Sequence, residues 1–140
     1  MTLPDSARAL INSNALAHLI TLNEDGSPQV TLVWVGLDGD DVVAAHLAEY
    51  QKVENIRNDG RVAINIESPT QNDIGLTEYL TLYGQATIEE GGAPELLQEL
   101  AYTYIGPDVK FPPMPDPPPG YISRVNVERI SGVGPWGREM

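Results

Sequence analysis

The stretch Ala15-Leu16-Ala17-His18-Leu19-Ile20-Thr21-Leu22, Asn23-Glu24-Asp25-Gly26-Ser27-Pro28, Gln29-Val30-Thr31-Leu32-Val33-Trp34-Val35-Gly36-Leu37, Asp38-Gly39-Asp40-Asp41, Val42-Val43-Ala44-Ala45-His46-Leu47 decides the fold. Apolar and β-branched runs are strand signals, and the two polar clusters rich in Gly, Asp and Asn are turn signals. The runs read as strands over 15–22, 29–37 and 41–47, with an antiparallel meander as the simplest arrangement. Farther along, Arg61 to Glu67 alternates Val62, Ile64 and Ile66 with other residues, as a half-buried strand does. Leu76 to Glu89 reads as a long strand in which Gly84 marks a bulge or a barrel corner. Tyr121 to Ile130 is the last strand, with Tyr121, Ser123, Val125 and Val127 on one face.

Helices fall between these runs. Ser6 to Asn14 reads as a short helix capped by Asp5 or Ser6, with Ala7, Leu10 and Ile11 on one face. Pro94 to Tyr104 carries Pro in its first turn and Leu96, Leu97, Leu100, Ala101 and Tyr104 at helical spacing. The Lys52 segment spans one or two turns, with Val53 and Ile56 inward and Gly60 available as a C-terminal cap. Gly106 to Gly120 contains seven prolines and is expected to be a stiff, extended connection. Phe111 and Met114 within it could cover a cleft, although a plain crossover is the expectation. Ser131 to Gly137 is expected to be irregular. The reading is one domain over 1–140, mainly β, with six strands in a small antiparallel barrel and short inserted helices.

Composition narrows the function. The chain has 140 residues, a formal charge of −12, no cysteine and only two lysines, Lys52 and Lys110. Thiol chemistry is excluded, and the charge argues against nucleic acid as a partner. No apolar run reaches the roughly 20 residues needed to span a bilayer, so no membrane partner is expected. With no signal-peptide pattern at the start, a cytoplasmic protein is the expectation. Two histidines, His18 and His46, among scattered carboxylates make no recognisable metal site. No conventional catalytic set stands out, so the catalytic residues stay unassigned.

Lys52 is the informative charge. It stands where a helix begins, among amides that carry partial positive charge, which is an unfavourable place for a cation unless an anion joins it. That placement suggests a bound phosphate. A solvated lysine on a short surface helix would account for the same residue without a ligand. Lys52, Arg57 and Arg61 together form a positive island on an acidic chain.

Pro28 to Trp34, then Asp38-Gly39-Asp40, then Lys52-Val53-Glu54-Asn55-Ile56-Arg57-Asn58-Asp59-Gly60-Arg61-Val62-Ala63 resembles the flavin/deazaflavin oxidoreductase group. These are split β-barrel proteins related to pyridoxamine 5′-phosphate oxidase. Arg129-Ile130-Ser131-Gly132-Val133-Gly134-Pro135-Trp136 is similar to tails in the branch that uses coenzyme F-420. The resemblance covers most of Ala15 to Trp136. It implies a six-stranded FMN-binding split barrel, a homodimer with cofactor sites at the interface, and coenzyme F-420 or FMN as cofactor. It implies hydride transfer to or from a small unsaturated or conjugated substrate.

The family's phosphate-binding lysine corresponds to Lys52, its ring-side strand to Gln29–Trp34 with Thr31 and Trp34, and the residues before its helix to His46, Leu47 and Ala48. Relatives commonly carry a basic residue where this chain has Gln51, so Arg57 is the candidate to complete the grip. Trp136 is a candidate to stack on a partner's cofactor, or else an anchor for the tail. Pyridoxamine phosphate oxidation itself is not expected, because basic residues for a phosphorylated substrate have no match near the C-terminus. A non-catalytic carrier of flavin, haem or another tetrapyrrole is the alternative, and a dimeric barrel that binds nothing is a third reading.

Overall fold

The alternating runs pair into a single antiparallel sheet. In the computed structural model, which describes residues 1–138, the strands are β1 (Ala17–Leu22), β2 (Pro28–Val33), β3 (Gly36–Asp38), β4 (Asp41–His46), β5 (Arg61–Gln71), β6 (Thr77–Glu90), β7 (Tyr121–Gly134) and β8 (Gly137–Arg138). Their order is β2-β1-β5-β6-β7-β4-β3, with β8 paired to β7. The helices are α1 (Asp5–Ile11), α2 (Gln51–Asn58) and α3 (Ala93–Tyr104). None of the described helices is long and apolar enough to cross a membrane.

Eight strands replace the expected six for two reasons. The single strand expected over 29–37 divides into β2 and β3, and the tail folds back as β8. The division also corrects the meander. β1 pairs with β2 and β3 pairs with β4, yet the two hairpins occupy opposite edges of the sheet. Trp34 and Val35 alone link those edges, and three Cα–Cα steps span at most ~11 Å. The sheet is therefore forced to curl until its edges meet without hydrogen bonding to each other, which is the split of the barrel.

Period-2 patterning supplies the core. Leu19 on β1, Ile64 and Ile66 on β5, Leu80 and Leu82 on β6, and Val125 and Val127 on β7 all face inward and are buried. Ile11 of α1 and Ile56 of α2 join the same cluster. Gly84 sits at the register shift between Tyr83 and Gly84, as expected of a bulge. A Cβ there would come 2.1 Å from the carbonyl oxygen of Asn126, so only glycine lets the strands approach.

Several boundaries differ from the sequence reading. α1 starts at Asp5, with Pro4 rather than Asp5 or Ser6 in the capping position, and it ends at Ile11, short of Asn14. Gly60 does not cap α2, because Asp59 leaves the helix in extended conformation. Its lack of a side chain instead allows close approach to β6, where Ala86 N–H donates to the Gly60 carbonyl at 2.7 Å. β5 runs on through Ser68 to Gln71, where a polar turn was expected, and the reversal waits until Asn72–Leu76. β7 continues to Gly134, so the tail is not irregular: Trp136 Nε1 donates to the Tyr79 carbonyl at 2.8 Å and pins it to β6.

Candidate functional site

The seam left by the curl is lined by side chains. A cleft of about 270 Å³ is bounded by Leu16, Leu32, Val33, Trp34, Ala45, Lys52, Leu97 and Phe111. These come from the residue before β1, the end of β2, the seam link, β4, α2, α3 and the proline-rich segment. β3 reaches only as far as Val43 on β4, so residues 44–46 have no strand partner on the cleft side. The sheet thus opens where β4 hands over to α2.

Three aromatic rings build one wall. Trp34 stacks on Tyr104 with centroids 5.4 Å apart and planes 8° apart, and Phe111 leans on Trp34 at 5.1 Å and 54°. Tyr104 is fixed by its hydroxyl, which accepts from Val35 N–H at 3.1 Å and lies 3.3 Å from the Val35 carbonyl oxygen. Burial pushes the phenol pKa of Tyr104 up, so the group stays a neutral donor and acceptor.

Opposite the rings stands Lys52, the second residue of α2. It is half-buried, its ammonium lies 5.4 Å from the Tyr50 ring centroid, and burial lowers its pKa. Among the described residues no carboxylate comes within 4.0 Å of it. α2 also starts without a side-chain cap. Lys52 is thus a partly desolvated cation without a counter-ion among the described residues, at a helix start where the dipole favours negative charge.

His46 lies on the inner face of β4, only 2% exposed, with Nε2 2.9 Å from Ser123 Oγ. Burial first, and then the charge of Lys52, depress its pKa to about 4. His46 is therefore a neutral member of the barrel wall behind the cleft and not one of its lining residues. Leu47 is half-buried and Ala48 exposed on the link between β4 and α2.

The position of α2 is set by Asn55, which is 1% exposed. Its Nδ2 donates to Thr21 Oγ1 at 3.0 Å and to Asn23 Oδ1 at 2.9 Å, and its Oδ1 accepts from Gln51 Nε2 at 2.8 Å. Gln51 is thereby bonded within its own helix, to the residue that holds the helix to the β1–β2 hairpin. Thr31, on β2, has a buried hydroxyl with no hydrogen-bond partner among the described residues. Such an atom costs free energy unless something else satisfies it.

The remaining candidates lie elsewhere in the single chain. The guanidinium of Arg57 contacts Glu49 Oε1, lies 3.7 Å from Glu90 Oε1, and sits 5.1 Å from the Tyr121 ring centroid. It is committed to carboxylates and does not line the cleft. Trp136 is held against Tyr79 in the tail. Of the nine candidates, then, the cleft brings Lys52 and Trp34 together. Leu16, Leu32, Val33, Ala45 and Leu97 were not foreseen, because each reads as an ordinary apolar residue of its own element. Phe111 comes to the cleft although a plain crossover was expected.

The family profile of pyridoxamine 5′-phosphate oxidase matches residues 3–134. The chain belongs to that family. An F-420 reductase structure is similar at 26% identity and a TM-score of 0.73, over 91% of this chain and 98% of that one. HupZ from Group A Streptococcus shares the fold at 21% identity and a TM-score of 0.67, with 99% of each chain covered. A putative pyridoxamine 5′-phosphate oxidase from Listeria innocua does so at 21% identity and 0.65, over 92% and 96%. No curated protein sequence matches the chain. The split barrel read from the sequence is thus the fold of a flavin-related oxidoreductase family.

The buried imidazole gives a pH signature. The unfolded chain binds a proton on His46 near pH 6.5 and the folded chain only near pH 4, so the unfolded state binds more protons in between. Stability is full above pH 6.5 and falls as pH drops towards 4, by up to about 3 kcal/mol for the 2.5-unit difference. Urea unfolding at pH 4 to 7 is expected to show this slope in the parent protein and a flatter one in His46→Gln. Parallel profiles for the two proteins would remove the assignment.

Proposed function

We propose that this chain is an oxidoreductase that binds coenzyme F-420 or FMN and passes hydride between it and a small unsaturated or conjugated substrate. The observation that carries the reading is Lys52: a half-buried ammonium with no carboxylate partner among the described residues, at an uncapped helix start, opening on an aromatic cleft. The residues present fit such a group. Lys52 and the first amides of α2 suit a phosphate, and the apolar lining of the cleft suits a planar ring. When bound, either cofactor supplies the ring that gives or takes hydride.

The chain's own residues bind, orient and keep water out. Lys52 neutralises phosphate charge, and the phosphate in turn favours the protonated amine against its desolvation. His46 stays neutral at physiological pH and adds no second positive charge behind Lys52. Coenzyme F-420 is the leading choice, supported by the similarity to an F-420 reductase and by the Arg129–Trp136 tail. An oligoglutamate tail would have to stay in solvent, given the net charge of −12.

A homodimer belongs to the same proposal. One chain encloses about 270 Å³, just under the usual size of a ligand pocket. Leu32 and Leu16, 57% and 49% exposed, rim this cleft, and Val30 beside them on β2 is 57% exposed. A second copy on that face would cover three exposed apolar side chains and roof the cleft together.

A fluorescence-quenching screen with coenzyme F-420 and FMN tests the reading, and turnover with an electron acceptor separates an enzyme from a carrier. One charge-assisted phosphate contact contributes roughly 1.5–3 kcal/mol, so Lys52→Ala is expected to weaken cofactor binding about ten- to a hundredfold. Unchanged affinity in that titration would refute the phosphate assignment. Val30→Glu is expected to yield a monomer that has also lost cofactor affinity. A Val30→Glu protein that stays dimeric, or a monomer that binds as well as the parent, would contradict the shared-site proposal.

A further inference from the structure

The proline-rich segment touches the site through one residue, and one side chain holds that residue there. Gln98, on α3, donates from Nε2 to the Val109 carbonyl at 3.0 Å and accepts at Oε1 from Phe111 N–H at 3.1 Å. The two bonds flank Lys110, as the backbone of a neighbouring strand would. A carbonyl must meet a donor and an N–H an acceptor, so the amide has a single orientation that satisfies both partners. Pro112 and Pro113 follow, which makes Phe111 N–H the last backbone donor before Met114. Gln98 therefore occupies the hydrogen-bonding groups that lead directly into the cleft-lining ring.

Phe111 is fixed from its other side by Trp34, which Tyr104 holds in turn. The lining of the cleft is apolar apart from Lys52. Lys52 is reserved for an anion at the α2 end. What Trp34, Leu97 and Phe111 present is an uncharged apolar surface, with its two rings tilted at 54° and suited to stacking or edge contact.

We propose that Phe111, seated by Gln98, is the specificity-determining wall of this cleft, and that the ligand it selects is an uncharged planar aromatic molecule. Gln98 is a positioning residue acting through Phe111. The inference rests on the proposed function only in taking this ligand to be the substrate beside the cofactor.

The test uses anthracene, a neutral planar fluorophore, and a Trp136→Phe background that leaves Trp34 as the sole tryptophan. The probe is expected to bind and to quench Trp34. Gln98→Met loses both hydrogen bonds at similar size, and the ratio of probe affinity to FMN affinity is expected to fall about tenfold. Acrylamide quenching of Trp34 should rise in the same variant, as Phe111 no longer covers the indole. Phe111→Ala, which leaves the Gln98 bonds intact, is expected to lose probe affinity at least as far. Probe binding equal in the parent and both variants overturns the proposal, as does a parent that fails to bind the probe. FMN that binds while the probe does not removes this inference alone. A probe that binds with the expected variant losses while neither FMN nor coenzyme F-420 binds supports this wall and removes the cofactor reading.

Discussion

A two-residue link governs this molecule. Trp34 and Val35 join strands at opposite edges of one sheet, so the sheet has no choice but to curl until its edges come together. Because β2 and β4 do not hydrogen-bond across the gap, a seam remains. Tyr104 closes one end of it by bonding Val35 N–H, and in doing so fixes the stacked Trp34. The cleft is a consequence of the topology: it lies where the barrel fails to zip.

Electrostatics then give the cleft a polarity. Asn55 pins α2 to the β1–β2 hairpin, which sets the start of the helix, and Lys52 with it, against the seam. Gln51 bonds Asn55 one turn along the same helix and so supports that fastening. Arg57 is already neutralised by Glu49 and Glu90, and Arg61 by Asp59. Of the positive island seen in the sequence, only Lys52 has no carboxylate partner among the described residues. On an acidic chain this is a local point of positive potential.

Much of the fold was legible because its signals are local. The alternation of Val62, Ile64 and Ile66, the Asp38–Asp41 turn and the Leu96–Leu100 spacing each declare their element within a few residues. The break after Val33 was not legible, since Thr31 to Val35 is continuously β-favouring and only tertiary curl decides where pairing stops. Pairings such as β4 with β7 join residues about eighty positions apart and leave no local mark. The site follows the same division. Lys52 was legible as a charge in the wrong place. Phe111 was read only as the lesser of two alternatives, because a proline-rich stretch reads as a connection until Gln98, from another element, is seen to hold it.

The central claim is that the ammonium of Lys52 receives a phosphate. Titrating the native protein with FMN and with riboflavin, which differ by that phosphate alone, tests it without altering any residue; coenzyme F-420 and its phosphate-free deazaflavin core form the parallel pair. The account predicts that the phosphorylated member of the bound pair associates at least about tenfold more tightly, and that added salt narrows the difference. Equal affinities for the two members would contradict it.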